Sequence, residues 1–301
     1  MSLMTFAFVD MNYKIINWLL FILLCFIWGS SFILMKVSIE GLTGPQIAAL
    51  RIFSAGLVCI PFAFFHLRHI PKTKLGLVFL AGVFGNVIPA FCYAIALMHL
   101  DSSVAGILNS LTPLCVVTIG AVFFGSKVRA QKLIGVIIGF AGLVLLTVTQ
   151  KNISVDNLEY AGLILFATLS YGLNVNQVGH FLQGVKPIHI ATVSLAFMTL
   201  PTGLILWQTG YFDLDFSSHI VQWASLNTIM LGIVGSSIAT VLFYMLVQRA
   251  SGLFASLVTY GIPFVAIFWG IIYGETITLV AIACLLLILA GVYLANRPEK
   301  K

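Results

Sequence analysis

An apolar stretch with a proline at its centre occurs twice in this chain, and the two prolines, Pro113 and Pro263, stand 150 residues apart. The first copy runs from Ser103, Val104, Ala105 and Gly106 through Leu111, Thr112 and Pro113 to Gly120, Phe124 and Gly125. The second runs from Leu253, Phe254, Ala255 and Ser256 through Gly261, Ile262 and Pro263 to Gly270 and Gly274. Each lies in an apolar run of roughly 20 residues, the length a helix needs to cross a bilayer. Proline has no N–H to offer the carbonyl four residues earlier, so the carbonyls of Asn109 and Thr259 lose their usual partner. A membrane tolerates that only where protein, water or a bound molecule satisfies the freed group. One such proline reads equally well as a plain kink. A symmetrical pair favours a central cavity with Pro113 and Pro263 as helix breaks or gates.

The rest of the chain supplies the membrane. It is 60% hydrophobic and 8% charged, with a mean hydropathy of +1.10, outside the range of soluble domains. Apolar runs at 15–36, 45–65, 75–97, 103–124, 131–149, 160–181, 187–207, 225–247, 253–273 and 277–295 predict an all-α integral membrane protein of ten transmembrane helices. The segment from Tyr211 to His219 reads as a loop or an interfacial turn. The first run is too long for a signal-peptide core and lacks a small-residue cleavage motif, so a retained span is expected. The cysteines Cys25, Cys59, Cys92, Cys115 and Cys284 stand singly within apolar runs and read as small packing residues.

Charge orients the chain. With the N-terminus inside, twelve Lys and Arg residues fall on the cytoplasmic side, against Lys36, Arg51 and Lys151 opposite. The positive-inside rule then puts both termini in the cytoplasm. The net charge of +6 is dispersed over short loops and forms no stripe for nucleic acid. Five is an odd number of spans, so the second five enter the membrane reversed. The halves, 1–150 and 151–301, are expected to be inverted repeats, the arrangement behind alternating access. The echo extends from Trp28-Gly29 to Tyr171-Gly172, from Pro45 to Pro187, from Tyr93 to Tyr244 and from Gly142 to Gly291.

Several residues in this order resemble the EamA-type branch of the drug/metabolite transporter superfamily. They are Trp28-Gly29-Ser30-Ser31-Phe32, Arg51, Pro113 with Phe124-Gly125, Gly135 to Gly142, and Pro263 with Gly274-Glu275. The likeness covers nearly the whole chain and makes each half an EamA-like five-helix repeat. It implies secondary transport of small metabolites, commonly efflux of amino acids or related compounds, across a bacterial inner membrane. One position departs from the pattern. The family's Gly-Glu at the end of the fourth span is Gly125-Ser126 here, which leaves any role of that acid to Glu275.

Polar residues inside spans mark the expected lining, because side-chain amides are costly against lipid. Thr112 lies three residues from Asn109 and so on the same helical face, adding a hydroxyl beside the freed carbonyl. Thr259 and Tyr260 are the counterparts in the ninth span. Tyr171, Asn174, Asn176, Gln177 and His180 crowd the sixth span and either join helices or line a cavity. Tyr171 and Asn174, near mid-depth, read as cavity, whereas His180 reads as interfacial. Trp28, Ser30 and Ser31 hold the corresponding place in the first span, with Trp28 and Ser31 assigned to substrate. Tyr93 and Tyr244 complete the binding set, with Asn86 beside them. Arg51 either snorkels to headgroups or attracts an anionic group of the substrate. His66 and His69 read as a solvated cytoplasmic face, and no metal or cofactor is expected.

Glu40, Asp101, Glu159 and Glu275 all fall at span ends, so facilitated diffusion or exchange fits as well as proton coupling. No Walker-type loop indicates ATP drive. Two other classes compete with a carrier. A membrane-embedded enzyme would need a nucleophile with its base or clustered metal ligands, and the sequence offers neither. A non-transporting scaffold or sensor finds no extramembrane domain to support it. The chain is therefore expected not to be an enzyme, and to have a small-molecule substrate and the lipid bilayer as its partners.

Overall fold

A computed structural model describes residues 3–100, 102–150, 158–272 and 279–297. Asp101, Lys151, Gly274 and Glu275, which figured in the sequence pattern, lie outside the described residues. Among the described residues the regular structure is helical throughout.

Helix α1 (Leu3–Ile39) is longer than the apolar run that marked it, because neither proline nor glycine interrupts the residues before Lys14. Helix α2 (Gly44–His66) carries Pro45 in its first turn, where the missing N–H would be unpaired anyway. Helices α3 (Leu75–Gly82) and α4 (Ile88–Ala96) are joined by a π-helical segment, Val83–Val87. Then come α5 (Ser102–Asn109) and α6 (Thr112–Phe124), which ends on Gly125 at φ 63°, a left-handed conformation suited to glycine. Helices α7 (Ala130–Gln150) and α8 (Leu158–Phe181) follow. Helix α9 (Pro187–Gln208), like α2, opens with a proline. The segment from Tyr211 forms a short 3-10 turn, and α10 (His219–Gly232) begins earlier than the run at 225 suggested. A second π segment, Ile233–Ile238, links it to α11 (Ala239–Arg249). The chain closes with α12 (Gly252–Ser256), α13 (Val258–Ile272) and α14 (Leu279–Asn296).

The most extensive helix pairings cross between the two halves: α2 against α9, α7 against α14, α6 and α4 against α8, and α1 against α13. Between lipid-solvated helices apolar contact brings no hydrophobic gain, so close backbone approach matters more. The α7–α14 pair shows how the sequence arranges it. A Cβ on Gly291 would collide with the backbone of Gly139, and one on Gly135 with the backbone of Ala295. The periphery is apolar: Phe62, Phe64 and Phe65 on α2, and Leu200, Leu204 and Trp207 on α9, are exposed. Such a surface suits lipid and would be a liability in water. Five stretches among the described residues are long and apolar enough to cross a membrane: Lys14–Ser31, Gly44–His69, Lys72–Ala96, Pro187–Gln208 and His219–Arg249.

Candidate functional site

Between the halves lies a cavity of about 130 Å³, room for on the order of ten waters or one small metabolite. Eighteen of the described residues line it, nine preceding residue 150 and nine following it.

The first interrupted helix contributes Asn109 and Thr112. Helix α5 stops at Asn109, and Pro113 falls in the first turn of α6. The Thr112 hydroxyl donates to the Asn109 carbonyl at 2.6 Å and lies 3.3 Å from its Oδ1. That hydroxyl satisfies the group the break exposes. The second interrupted helix contributes Ser256 and Thr259. Ser251 caps α12 by accepting from the Phe254 N–H at 3.1 Å, and the Thr259 hydroxyl donates to the Ser256 carbonyl at 2.9 Å.

Helix α1 brings Trp28 and Ser31 to the cavity, and α8 brings Tyr171 and Asn174. Both pairs have helical spacing, so each shares one face. The indole of Trp28 donates to the Gly235 carbonyl at 3.0 Å, inside the second π segment. Its ring lies 5.3 Å from that of Phe243. The Tyr244 hydroxyl donates to Asn174 Oδ1 at 3.3 Å. The Asn174 amide nitrogen lies against Gly85 in the first π segment, where a Cβ would stand 2.5 Å from it. Only glycine leaves that space. Tyr93 faces Tyr171 with ring centroids 6.4 Å apart. Its hydroxyl is buried without a hydrogen bond of good geometry; Thr168 is adjacent but donates to the Ile164 carbonyl at 2.7 Å.

Of the residues assigned to substrate from the sequence, the structure brings Trp28, Ser31, Tyr93, Asn109, Thr112, Tyr171, Asn174, Tyr244 and Thr259 to one cavity, and places Tyr260 outside its lining. Tyr260 is fully buried and donates from its hydroxyl to the Val136 carbonyl of α7 at 2.9 Å. Successive helical residues point about 100° apart, so Thr259 and Tyr260 do not share a face. The other sixth-span amides join helices. Asn176 donates to the carbonyls of Val116 and Gly172, both at 2.9 Å, and Gln177 to that of Leu77 at 2.5 Å. Asn86 is buried beside the cavity and accepts from the Thr240 hydroxyl at 3.1 Å.

Arg51 does not reach outward to headgroups. It lines the cavity, and its Nε donates to Ser236 Oγ at 2.8 Å. A cation at membrane depth costs on the order of 3 kcal/mol, so its inward direction matters. Sequence reasoning also missed Thr240 and Ser256 as lining residues. Thr240 lies one turn before Tyr244, and Ser256 one turn before Thr259, which is the signal that could have found them.

At the other end of α2, His66 and His69 gather around His189 of α9. The His69 and His189 rings stack at 4.9 Å and 12°, and His66 Nδ1 lies 2.8 Å from Thr192 Oγ1. No group of three or more potential ligands able to hold a metal occurs among the described residues.

Comparison with known proteins gives one consistent result. The profile of the EamA-like transporter family matches residues 16–148 and again 159–297. A protein named as an uncharacterized transporter of Archaeoglobus fulgidus is 25% identical over 282 residues, 93% of this chain and 99% of that protein. The uncharacterized inner membrane transporter YedA of Escherichia coli (strain K12) is 24% identical over 261 residues, 84% of this chain and 81% of that protein. A solved crystal structure superposes with a TM-score of 0.69 at 18% identity, covering 95% of this chain and 96% of that one. The last is a likeness of fold alone.

Proposed function

The chain belongs to the EamA-like transporter family, and from that premise we propose that it is a secondary carrier that exports small metabolites, amino acids or related compounds, by alternating access. The observation that carries this reading is the even sharing of the cavity wall between the two halves. A site built equally from both halves is rebuilt whenever one half rocks against the other. In this reading the chain crosses a bacterial inner membrane ten times as two inverted five-helix repeats, 1–150 and 151–301, with both termini cytoplasmic.

The lining residues divide the work. Asn109, Asn174 and Ser31 offer donors and acceptors to the polar part of a substrate, while Trp28, Tyr93 and Tyr171 give its body aromatic faces. The interruptions before Thr112 and Val258 set hydroxyl-bearing turns beside the substrate in place of continuous helix. The π segments Val83–Val87 and Ile233–Ile238 flank the cavity. Their widened ladders make them the natural flexing points of each half. Coupling to protons or exchange of one metabolite for another would supply direction.

The test is flux into liposomes containing the purified protein, with labelled amino acids and with or without an imposed pH gradient. Saturable uptake is expected, and it should fall at least tenfold in Asn109→Ala and Asn174→Ala at unchanged protein abundance, the loss of a buried substrate hydrogen bond. Folded protein that supports no flux across a broad panel would refute the carrier reading. Full activity in both variants would refute the site.

A further inference from the structure

Resting on the carrier reading of this cavity, we propose that its ligand carries a carboxylate and that Arg51 receives it. Among the described residues, Arg51 is the one charged side chain lining the cavity, and no carboxylate pairs with it. The wall is otherwise neutral, so the site holds a positive charge that no carboxylate among the described residues answers.

The guanidinium is held in place. Ser236, buried in the second π segment, takes the Nε–H, and the two η nitrogens have no acceptor among the described residues. They form a planar fork of the kind that grips a carboxylate through two parallel hydrogen bonds. The backbone beneath is fixed as well. The Ser54 hydroxyl donates to the Arg51 carbonyl at 3.1 Å. Helix α10 presses so closely there that a Cβ on Gly232 would collide with that same carbonyl. A side chain free to snorkel would follow its aliphatic stem to the interface. This one is tied to a serine 185 positions away in sequence.

The remainder of the wall fixes what the carboxylate is attached to. The rings of Trp28, Tyr93, Tyr171 and Phe243 and the amides of Asn109 and Asn174 suit a short body with neutral hydrogen-bonding groups. An ammonium group meets no counter-charge among the described residues of the wall. Acids should therefore bind better than their amides, and bare amines worst.

The experiment uses the purified full-length protein. Thermal unfolding is followed by tryptophan fluorescence while L-phenylalanine, L-leucine and 3-phenylpropionate are titrated, each against its carboxamide. Liposome flux of the same compounds is measured in parallel. At least one acid should bind the native protein about 30-fold or more tightly than its amide, as expected where a buried charge loses its partner. Arg51→Gln should erase the preference, and Arg51→Lys should keep part of it, since lysine supplies charge without the fork. Ser236→Ala should weaken the acid about fivefold, the size of one lost hydrogen bond, and leave the amide unchanged. Equal binding of every acid and its amide, no binding by any acid, or a preference that survives in Arg51→Gln would overturn the proposal. Should Arg51→Gln fail to fold, the acid–amide comparison on the native protein decides alone. Arg51-dependent acid binding without flux would remove the carrier reading and keep this one. Flux that carries acids and amides alike would do the reverse.

Discussion

The two interrupted helices solve the same problem with different placements of proline. In the first half, α5 ends at Asn109 and α6 opens at Thr112, so Pro113 occupies a first turn, where its missing N–H costs nothing. In the second half the interruption falls between Ser256 and Val258, and Pro263 lies inside α13. The hydroxyl device is nevertheless shared: Thr112 donates to the Asn109 carbonyl and Thr259 to that of Ser256, each three residues back. These threonines stand 147 residues apart and the prolines 150, so the prolines have slipped by nearly a turn against the break. The interruption is thus set by the turn and its threonine, and proline is an accessory that one half has moved into its helix.

Substitutions at the two breaks can test that lesson. The largest effect is expected where the second break faces two ways. Tyr260→Ala should lower stability by about 3–5 kcal/mol, the cost of emptying a buried aromatic site. Thr259→Ala should cost only about 1 kcal/mol, the lost hydroxyl bond to Ser256, and should lower flux. Similar midpoints would mean that Tyr260 is not held in the α7 contact. Next come the prolines. Pro263→Ala restores an N–H in a helix interior and should raise stability by up to about 3 kcal/mol, while slowing transport by stiffening the break. Pro113→Ala should change both little. A larger stabilisation from Pro113→Ala would reverse the assignment of first turn and interior. The smallest effect belongs to the hydroxyls. Thr112→Val and Thr259→Val should each cost about 1 kcal/mol in thermal unfolding, and clearly unequal losses would show that the two turns are not the same device.

Much of this was legible in the sequence because helical period and proline chemistry are local. Spacing alone put Asn109 with Thr112, and Tyr171 with Asn174, on single faces, and the cavity receives both pairs. What the sequence hid depends on partners far away in the chain. Whether Arg51 snorkels or turns inward is decided by Ser236. Whether His66 and His69 stand alone is decided by His189. The π segments have no compositional mark, since one extra residue in a hydrogen-bond ladder changes neither polarity nor period over a short window. Their trace was present in the matching positions of Gly85 and Gly235, which can be recognised only once the structure shows what each glycine makes room for. Tyr260 failed for a simpler reason: its position was taken from that of its neighbour, and adjacent helical residues diverge.

Access from both sides of the membrane is the property on which the carrier reading depends. The five native cysteines can be replaced and a single one introduced as Ser31→Cys, at the half-buried position that lines the cavity. Its rate of reaction with a membrane-impermeant thiol reagent is then measured from each face of vesicles of known orientation. A carrier with one central site predicts modification from both faces, slowed from both by a transported compound. Modification from one face only, at a rate that no candidate substrate changes, would contradict alternating access through this cavity.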